Sequence, residues 1–449
     1  MSPFELRAAL ALSSIFGLRM LGMFVILPVF AIYAERLPGG SNLTLVGVAI
    51  GAYGLTQALL QIPFGWWSDR YGRKPVIQLG LALFAAGSFV AALGTHIYVV
   101  IVGRVLQGAG AIAAPVMAMA ADLTREEHRA KTMALIGSTI GATFAASLVL
   151  SPWLNRAIGV PGIFAMTGVL VLVAMWVVHA LVPEPPDPQP ARAGGSAQLF
   201  AALRDPQLAR LNYGIFALHV VLMALFIAVP LELREAGLPL ERHWRVYLPV
   251  LAGSFLLMLP ALRATARPAH VRAVLLGAVA VLLASQIALP WLVGGVWPIA
   301  LGLLVFFAAF NVLEAVLPAL VTRVARPGAK GIAIGVFSTL QFLGTFLGAA
   351  AGGYLYGRWQ TAGVVVFDAA VLAIWLAAAL GMRVPAPRSI HTYALPVLSR
   401  ARAEQLAERL RRLPGVDEVS LRAEEGRVVL TVDSERFDEQ NVLGILGER

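Results

Sequence analysis

The chain has 449 residues, 59% of them hydrophobic, 13% charged and none cysteine, with a mean hydropathy of +0.78. Soluble proteins carry about 25% charged residues, so this composition excludes a surface wetted on all sides, and the lack of cysteine excludes disulfides, Fe–S clusters and thiolate metal sites. The net charge of +10 is unevenly placed: residues 1–387 hold 25 Lys/Arg against 14 Asp/Glu, and residues 388–449 hold 10 against 11. The basic excess therefore belongs to the apolar part of the chain, where it reads as membrane topology and not as a nucleic-acid surface.

A membrane-crossing helix needs about 20 apolar residues. Twelve segments satisfy this: 7–34, 42–67, 75–95, 97–121, 131–154, 161–183, 209–233, 244–264, 271–290, 295–321, 331–356 and 361–383. The first is too long for a signal sequence, contains Arg19 and lacks a cleavage site, so it is expected to be retained.

The loop after the second segment reads Gly65-Trp-Trp-Ser-Asp69-Arg70-Tyr-Gly72-Arg73-Lys74. Glycines permit tight turns and close helix approach, while Asp and Arg cap and pair at a membrane surface. A plain positive-inside loop explains the basic residues but not the full G-x(3)-D-R-x-G-R-K spacing. Here the sequence resembles the major facilitator superfamily, over residues 1–387. That resemblance implies a conformational gate in which Gly65, Asp69, Arg70, Gly72 and Arg73 take part. Asp69 would pair with Arg73 and cap the start of the eleventh segment near Gly331 and Gly335, and Asp122 would join the cluster.

The fourth segment holds Arg104-Val-Leu-Gln107-Gly108-Ala-Gly110-Ala. This is similar to the R-x-x-Q-G-x-G-A signature of proton-driven members of the same family. Taken alone, Gly108-Ala-Gly110 mimics a dinucleotide loop, but no strand precedes it. An arginine inside a membrane segment is costly, so Arg104 should face a polar cavity or an acidic partner. In the fifth segment Pro152 matches the antiporter signature, whereas Ser138, Ser147 and Ser151 stand where efflux members have glycine.

Residues 184–208 divide the segments six and six. Pro, Gly and Ser make the first part a cytoplasmic linker; Leu199, Phe200 and Leu203 are spaced for one stripe of a short helix lying on the membrane, with a plain solvated linker as the equal alternative. The halves echo each other: Pro28 and Pro230 sit in similar strings 202 residues apart, and Pro115 and Pro318 are offset by 203. Two agreeing offsets indicate a duplicated six-helix unit, the arrangement of a two-bundle transporter.

Few ionisable groups lie deep in the segments: Arg19, Arg104, His219 and Glu314. Asp122, Glu232 and Asp368 lie near segment ends, where snorkelling to water is easy. Glu314 is the one deep carboxylate, with Asn311 on the same helix face. It reads as a proton-coupling or substrate residue; the competing structural reading is a permanent Glu314–Arg19 ion pair. Gln57, Gln61, Gln107, Gln341 and the deep aromatics are candidates for a central cavity, although amides also glue helices together. His219 can titrate near neutrality and is a candidate for the coupling or cavity group, although it reads first as a hydrogen-bonded packing residue. His243-Trp244-Arg245-Tyr247 reads as an anchor at the outer interface.

Residues 388–449 turn polar. A strand (IHTYALPVL), a helix with Leu406, Leu410 and Leu413 on one face, a hairpin with Val428, Leu430 and Val432 alternating around a Glu-Glu-Gly turn, and a final helix give the order β-α-β-β-α. This resembles a small ferredoxin-like domain lacking its last strand, with an edge open to another protein or to the rest of the chain. With His391 its only metal-ligating imidazole and no cysteine, it is not expected to bind metal. A subgroup of efflux-type family members carries such a tail.

Placing the N-terminus in the cytoplasm puts fifteen Lys/Arg in inner loops and six in outer loops, so both termini are expected inside. No Lys follows a G-x(4)-G, no G-x-S-x-G occurs and the seven histidines are scattered, which leaves no P-loop pump and no recognisable enzyme site. The expected fold is an all-α polytopic membrane protein of twelve transmembrane helices in two six-helix bundles (1–183 and 209–387) plus an α+β ferredoxin-like domain (388–449). The expected function is a proton-driven antiporter of the inner membrane, with protons and a small amphipathic molecule as partners and no cofactor. The alternatives are a proton-coupled carrier of an organic anion or sugar, or a membrane sensor signalling through the tail.

Overall fold

The computed structural model describes residues 1–183, 196–325, 330–383, 388–394, 400–422, 427–433 and 437–447. The first part of the expected linker (184–195, with Arg192), Arg326, residues 395–398 of the first tail strand and the Glu424-Glu425-Gly426 turn lie outside them.

Ten helical stretches among the described residues are long and apolar enough to cross a membrane. The first comprises α1 (Pro3–Phe24) and α2 (Leu27–Ala34), separated by a break just before Pro28, where proline cannot supply a backbone N–H. Ser2 and Glu5 form a reciprocal capping box at its start. Helix α3 (Leu43–Tyr71) is capped by Asn42, and α4 (Arg73–Ala92) begins directly after Gly72, whose φ of 95° suits glycine. Helix α5 (Ile97–Ala109) breaks at Gly110 before α6 (Ala113–Asp122).

Helix α7 (Glu126–Leu181) runs 56 residues and joins two helices across Gly159, where φ is 67°. A short α8 (Ser196–Arg204) precedes α9 (Pro206–Glu235), whose first turn is capped by Asp205 accepting from the Gln207 and Leu208 N–H groups. Then come α10 (Trp244–Ala264), α11 (Pro268–Leu292) and α12 (Val296–Val324). Helix α13 (Lys330–Leu380) again joins two helices, across Gln360 at φ 55°. The two breaks fall between expected segments five and six and between eleven and twelve.

Packing repeats in the two halves: α1 lies on α7 and α3 on α5, as α9 lies on α13 and α10 on α12. The halves meet where α13 crosses α3 and where α2 meets α9. The tail forms β1 (Arg388–Ala394), α14 (Arg400–Arg411), β2 (Val416–Arg422), β3 (Arg427–Asp433) and α15 (Glu439–Gly447). Its antiparallel sheet has the order β1-β3-β2. Leu410, Val428, Leu430 and Val432 are fully buried in its core, as their alternation predicts.

Candidate functional site

The fourth-segment motif acts through backbone contact. A Cβ on Gly108 would meet the Tyr53 carbonyl oxygen at 2.2 Å, and one on Gly110 would meet the Gly80 oxygen at 2.3 Å. Only glycine lets α5 press against both α3 and α4. The helix break at Gly110 leaves its carbonyl to accept from Arg19 Nη2 at 3.0 Å; the same nitrogen donates to Gln57 Oε1 at 2.6 Å. Gln57 in turn donates to Gln61 at 3.1 Å.

Arg104 donates to Gln107 Oε1 (2.8 Å), the Ile50 oxygen (3.1 Å) and the Ala49 oxygen (3.3 Å), and Gln107 donates to Ser88 (2.8 Å). Both arginines are buried and sit over the Tyr53 ring, at 5.7 and 5.1 Å from its centroid; Phe84 is 5.4 Å from Arg19. Neither has a carboxylate partner among the described residues. The Glu314–Arg19 ion pair is therefore not formed. Arg104 holds its place through carbonyl dipoles and an amide, not through the acidic partner expected of a buried charge.

Glu314 meets α9 and α13 instead. Gln341 donates to His219 Nε2 at 2.9 Å and to Glu314 Oε1 at 3.4 Å, and His219 Nε2 lies 4.0 Å from Glu314 Oε2. His219 Nδ1 donates to the Ile215 oxygen at 3.2 Å, so Nε2 is an acceptor in the neutral ring. Glu314 Oε2 has no hydrogen-bond partner among the described residues, although its side chain is 39% exposed. The carboxylate and the imidazole thus lie side by side, both reached by the Gln341 amide. Asn311 turns away and donates to Ser254 at 3.1 Å.

Aromatic rings join the halves. Phe24 packs edge-on against Phe144 at 5.0 Å, Phe144 faces Phe226 and Phe307 at 6.3 Å each, and Tyr53 meets Phe342 at 6.3 Å.

The two ends of the helices differ. At the Glu35 end, a Cβ on Gly47 would lie 2.1 Å from the Ala349 oxygen, and one on Gly353 2.2 Å from the Leu43 oxygen. Arg234 there grips Glu35 with two bonds of 2.5 and 3.0 Å, tying α9 to the residue that ends α2. At the Arg73 end, a Cβ on Gly137, Gly141, Gly331 or Gly335 would meet nothing within 4 Å. The halves are in backbone contact at the Glu35 end, whereas at the Arg73 end these four glycines are parted from every neighbour.

The loop motif lies at the parted end. Arg73 donates to Asp69, to Ser68 (2.8 Å) and to Asp122 (3.1 Å). No hydrogen bond runs from Asp69 to Gly331 or Gly335 among the described residues. Arg70 stands outside the cluster, its guanidinium 5.5 Å from the Trp66 ring and 5.7 Å from Tyr71. Gly65 presses on nothing tightly; its Cβ would meet Ala114 at 3.6 Å.

Three sequence expectations change. Asp368 does not snorkel: it is fully buried, and neither carboxylate oxygen has a hydrogen-bond partner among the described residues. His243 and Tyr247 are buried, leaving Trp244, with Arg245 5.7 Å from its ring, as the exposed part of that cluster. Glu232 accepts from Tyr356 (3.2 Å) and Thr361 and so joins α9 to α13.

Sequence reasoning missed Glu5, which is buried and accepts from the Arg125 backbone N–H (3.0 Å), Nε (3.1 Å) and Nη2 (3.3 Å). It also missed Glu35–Arg234 and Tyr53. The first two look like ordinary interfacial charges in a linear sequence; the position of Glu35 after one Pro-centred repeat and of Arg234 after the other was the available signal.

A family model described as Major Facilitator Superfamily matches residues 12–310. The chain is 41% identical over 436 residues to the inner membrane transport protein YajR of Escherichia coli K12, covering 97% of this chain and 96% of that one. A tetracycline resistance protein of class E from Escherichia coli is 28% identical over 164 residues, 35% of this chain and 40% of its own length. Among solved structures, the human organic anion transporter MFSD10 superposes with a TM-score of 0.65 at 18% identity, covering 84% of this chain and all of that one; this is a likeness of fold.

Proposed function

The chain belongs to the major facilitator superfamily and is a multi-pass membrane transporter, and from that premise we propose that it is a proton-driven antiporter exporting small amphipathic compounds by alternating access. The observation that carries the proposal is the inequality of the two ends: closed through Gly47, Gly353 and the Glu35–Arg234 pair, parted around Gly137, Gly141, Gly331 and Gly335. A carrier of this kind exposes one central site to one side at a time, and such asymmetry is what one of its states requires.

In this reading α7 and α13 each cross twice, bending at Gly159 and Gln360, which gives twelve crossings in bundles 1–183 and 209–387. The basic loops and both termini face the cytoplasm, so the state is open inward. Residues 184–208 link the bundles, and 388–449 form a ferredoxin-like cytoplasmic domain. The Asp69–Arg73–Asp122 cluster is the half of a gate that stays assembled; docking against the start of α13 would complete it when the inner side closes. The proton is carried by the Glu314–His219–Gln341 group, and the row Phe24, Phe144, Phe226 and Phe307 offers the apolar wall for substrate. The tetracycline resistance relative supports export of amphipathic molecules.

A second reading, transport of an organic anion, is favoured by Arg19 and Arg104, two buried cations without a carboxylate partner among the described residues. Purified protein in liposomes with a pH-sensitive dye inside decides between them. A cationic or neutral amphipath should drive proton movement opposite to its own; movement driven by anions alone selects the second reading, and no movement with any compound overturns proton coupling.

A further inference from the structure

At the Arg73 end, away from the gate and the central residues, α9, α11 and the end of α13 border an open cavity of about 530 Å³. Its polar wall is Arg210, Arg272 and Arg383, with Gln207, Leu380 and Gly381 between them. Each arginine comes from a different segment, and no carboxylate lines the cavity among the described residues. Asp205, next along the chain, is committed to the first turn of α9.

The guanidiniums are only lightly occupied. Arg272 donates to the Leu380 oxygen at 2.6 Å, Arg210 makes one long bond of 3.4 Å to the Pro206 oxygen, and the Arg383 side chain has no hydrogen bond or ion pair among the described residues. Gln207 fixes the Arg383 backbone N–H at 2.9 Å and so holds that residue at the rim. Arg210 packs against Gly381, where a Cβ would meet its Nη2 at 2.9 Å.

Three guanidiniums lining one cleft, with no carboxylate among its described lining, set up a positive potential that favours an anion there, and planar guanidiniums match the oxygens of a phosphate. The surroundings are those of a membrane interface. On α8, Phe200 and Leu203 are exposed, with Arg204 over the Phe200 ring at 4.4 Å, and Leu380 is exposed at the cavity itself. The geometry points to a binding site for a phosphate-bearing anion, filled by the headgroup of an anionic phospholipid whose chains lie along the outer apolar faces of these helices. It holds together the start of α9, the start of α11 and the residue from which the tail departs.

Native mass spectrometry of the full chain in detergent tests this, titrated separately with phosphatidylglycerol, phosphatidylcholine and inorganic phosphate. The wild type should retain phosphatidylglycerol at least about tenfold more strongly than phosphatidylcholine. Arg383→Gln should weaken that retention roughly tenfold, the loss expected for one charge-assisted contact. The triple change to glutamine at 210, 272 and 383 should abolish it. Because the Arg383 side chain has no hydrogen bond or ion pair among the described residues, its replacement removes no such contact from the described fold. Saturable inorganic phosphate binding, sensitive to Arg383→Gln and without preference for phosphatidylglycerol, would support the site and make free phosphate its source. Retention of both lipids alike without phosphate binding, or anion binding unchanged in Arg383→Gln and the triple variant, overturns the proposal.

Discussion

Replacing Gly47 by alanine tests what holds the Glu35 end shut. The added methyl would lie 2.1 Å from the Ala349 oxygen, where contacts under 3.0 Å are not accommodated, so α3 and α13 must part by about 1 Å at the crossing. Overpacking of this kind costs about 1–3 kcal/mol. It falls only on the state in which these helices touch, so it moves the closed-to-open ratio about 5- to 150-fold. The Glu35–Arg234 pair is partly exposed on both sides and is worth about 0.2–1 kcal/mol. Glu35→Gln should therefore shift the same ratio less than about fivefold. The chain contains no cysteine, so single cysteines at Ser41 and Arg358, both exposed at this end, can carry spin labels without background. Pulsed dipolar spectroscopy should show a longer-distance component growing in Gly47→Ala and little changed in Gly277→Ala, where a Cβ meets nothing within 4 Å. An unchanged distance distribution in folded Gly47→Ala protein would refute the claim that backbone contact sets the closed state.

Asp69→Asn removes the acid on which Arg73 is held; coupled transport in proteoliposomes should be lost while membrane insertion is unaffected. Glu314→Gln removes the carboxylate of the proposed proton-carrying group, so substrate-driven proton flux should fall to the liposome background while substrate-for-substrate exchange continues. Asp368 is buried without a hydrogen-bond partner among the described residues, and a carboxylate in that position opposes folding; Asp368→Leu should raise stability by about 1–4 kcal/mol, seen as a higher Tm in detergent with transport retained. Deleting residues 388–449 should leave substrate-dependent proton flux intact, whereas complete loss of output would favour a sensor.

Segment positions were legible because twenty-residue apolar runs have few alternative uses in water. The halves' relationship was legible from the matched Pro28 and Pro230 strings. Charge partners were not: Arg19 and Glu314 are the obvious pair in a list of deep ions, yet each finds partners inside its own half. Helix ends and breaks create partners that no list of side chains contains, such as the Gly110 carbonyl that receives Arg19. Asp368 misled because distance from a segment end says nothing about which way a side chain faces. In the tail, by contrast, alternation alone gave the buried set Val428, Leu430 and Val432, since a two-faced strand offers each residue only two fates.

The unequal ends also constrain how a switch between states can be built. A carrier must cross between two arrangements separated by a few kcal/mol, so neither closed end can be held much more firmly than the other. A contact made by glycine backbones suits this: it gains dispersion energy only at close approach and loses it sharply over about 1 Å, without leaving a buried charge unpaired when it opens. An ion pair buried at the same crossing would strand two charges on opening, at several kcal/mol each. The ionic contacts are placed accordingly. Glu35–Arg234 and Arg73–Asp122 lie at the ends of the helices, where at least one partner of each pair is about a third exposed, while the hydrogen bonds that the deep arginines do make lie within one half and need not be exchanged as the halves move.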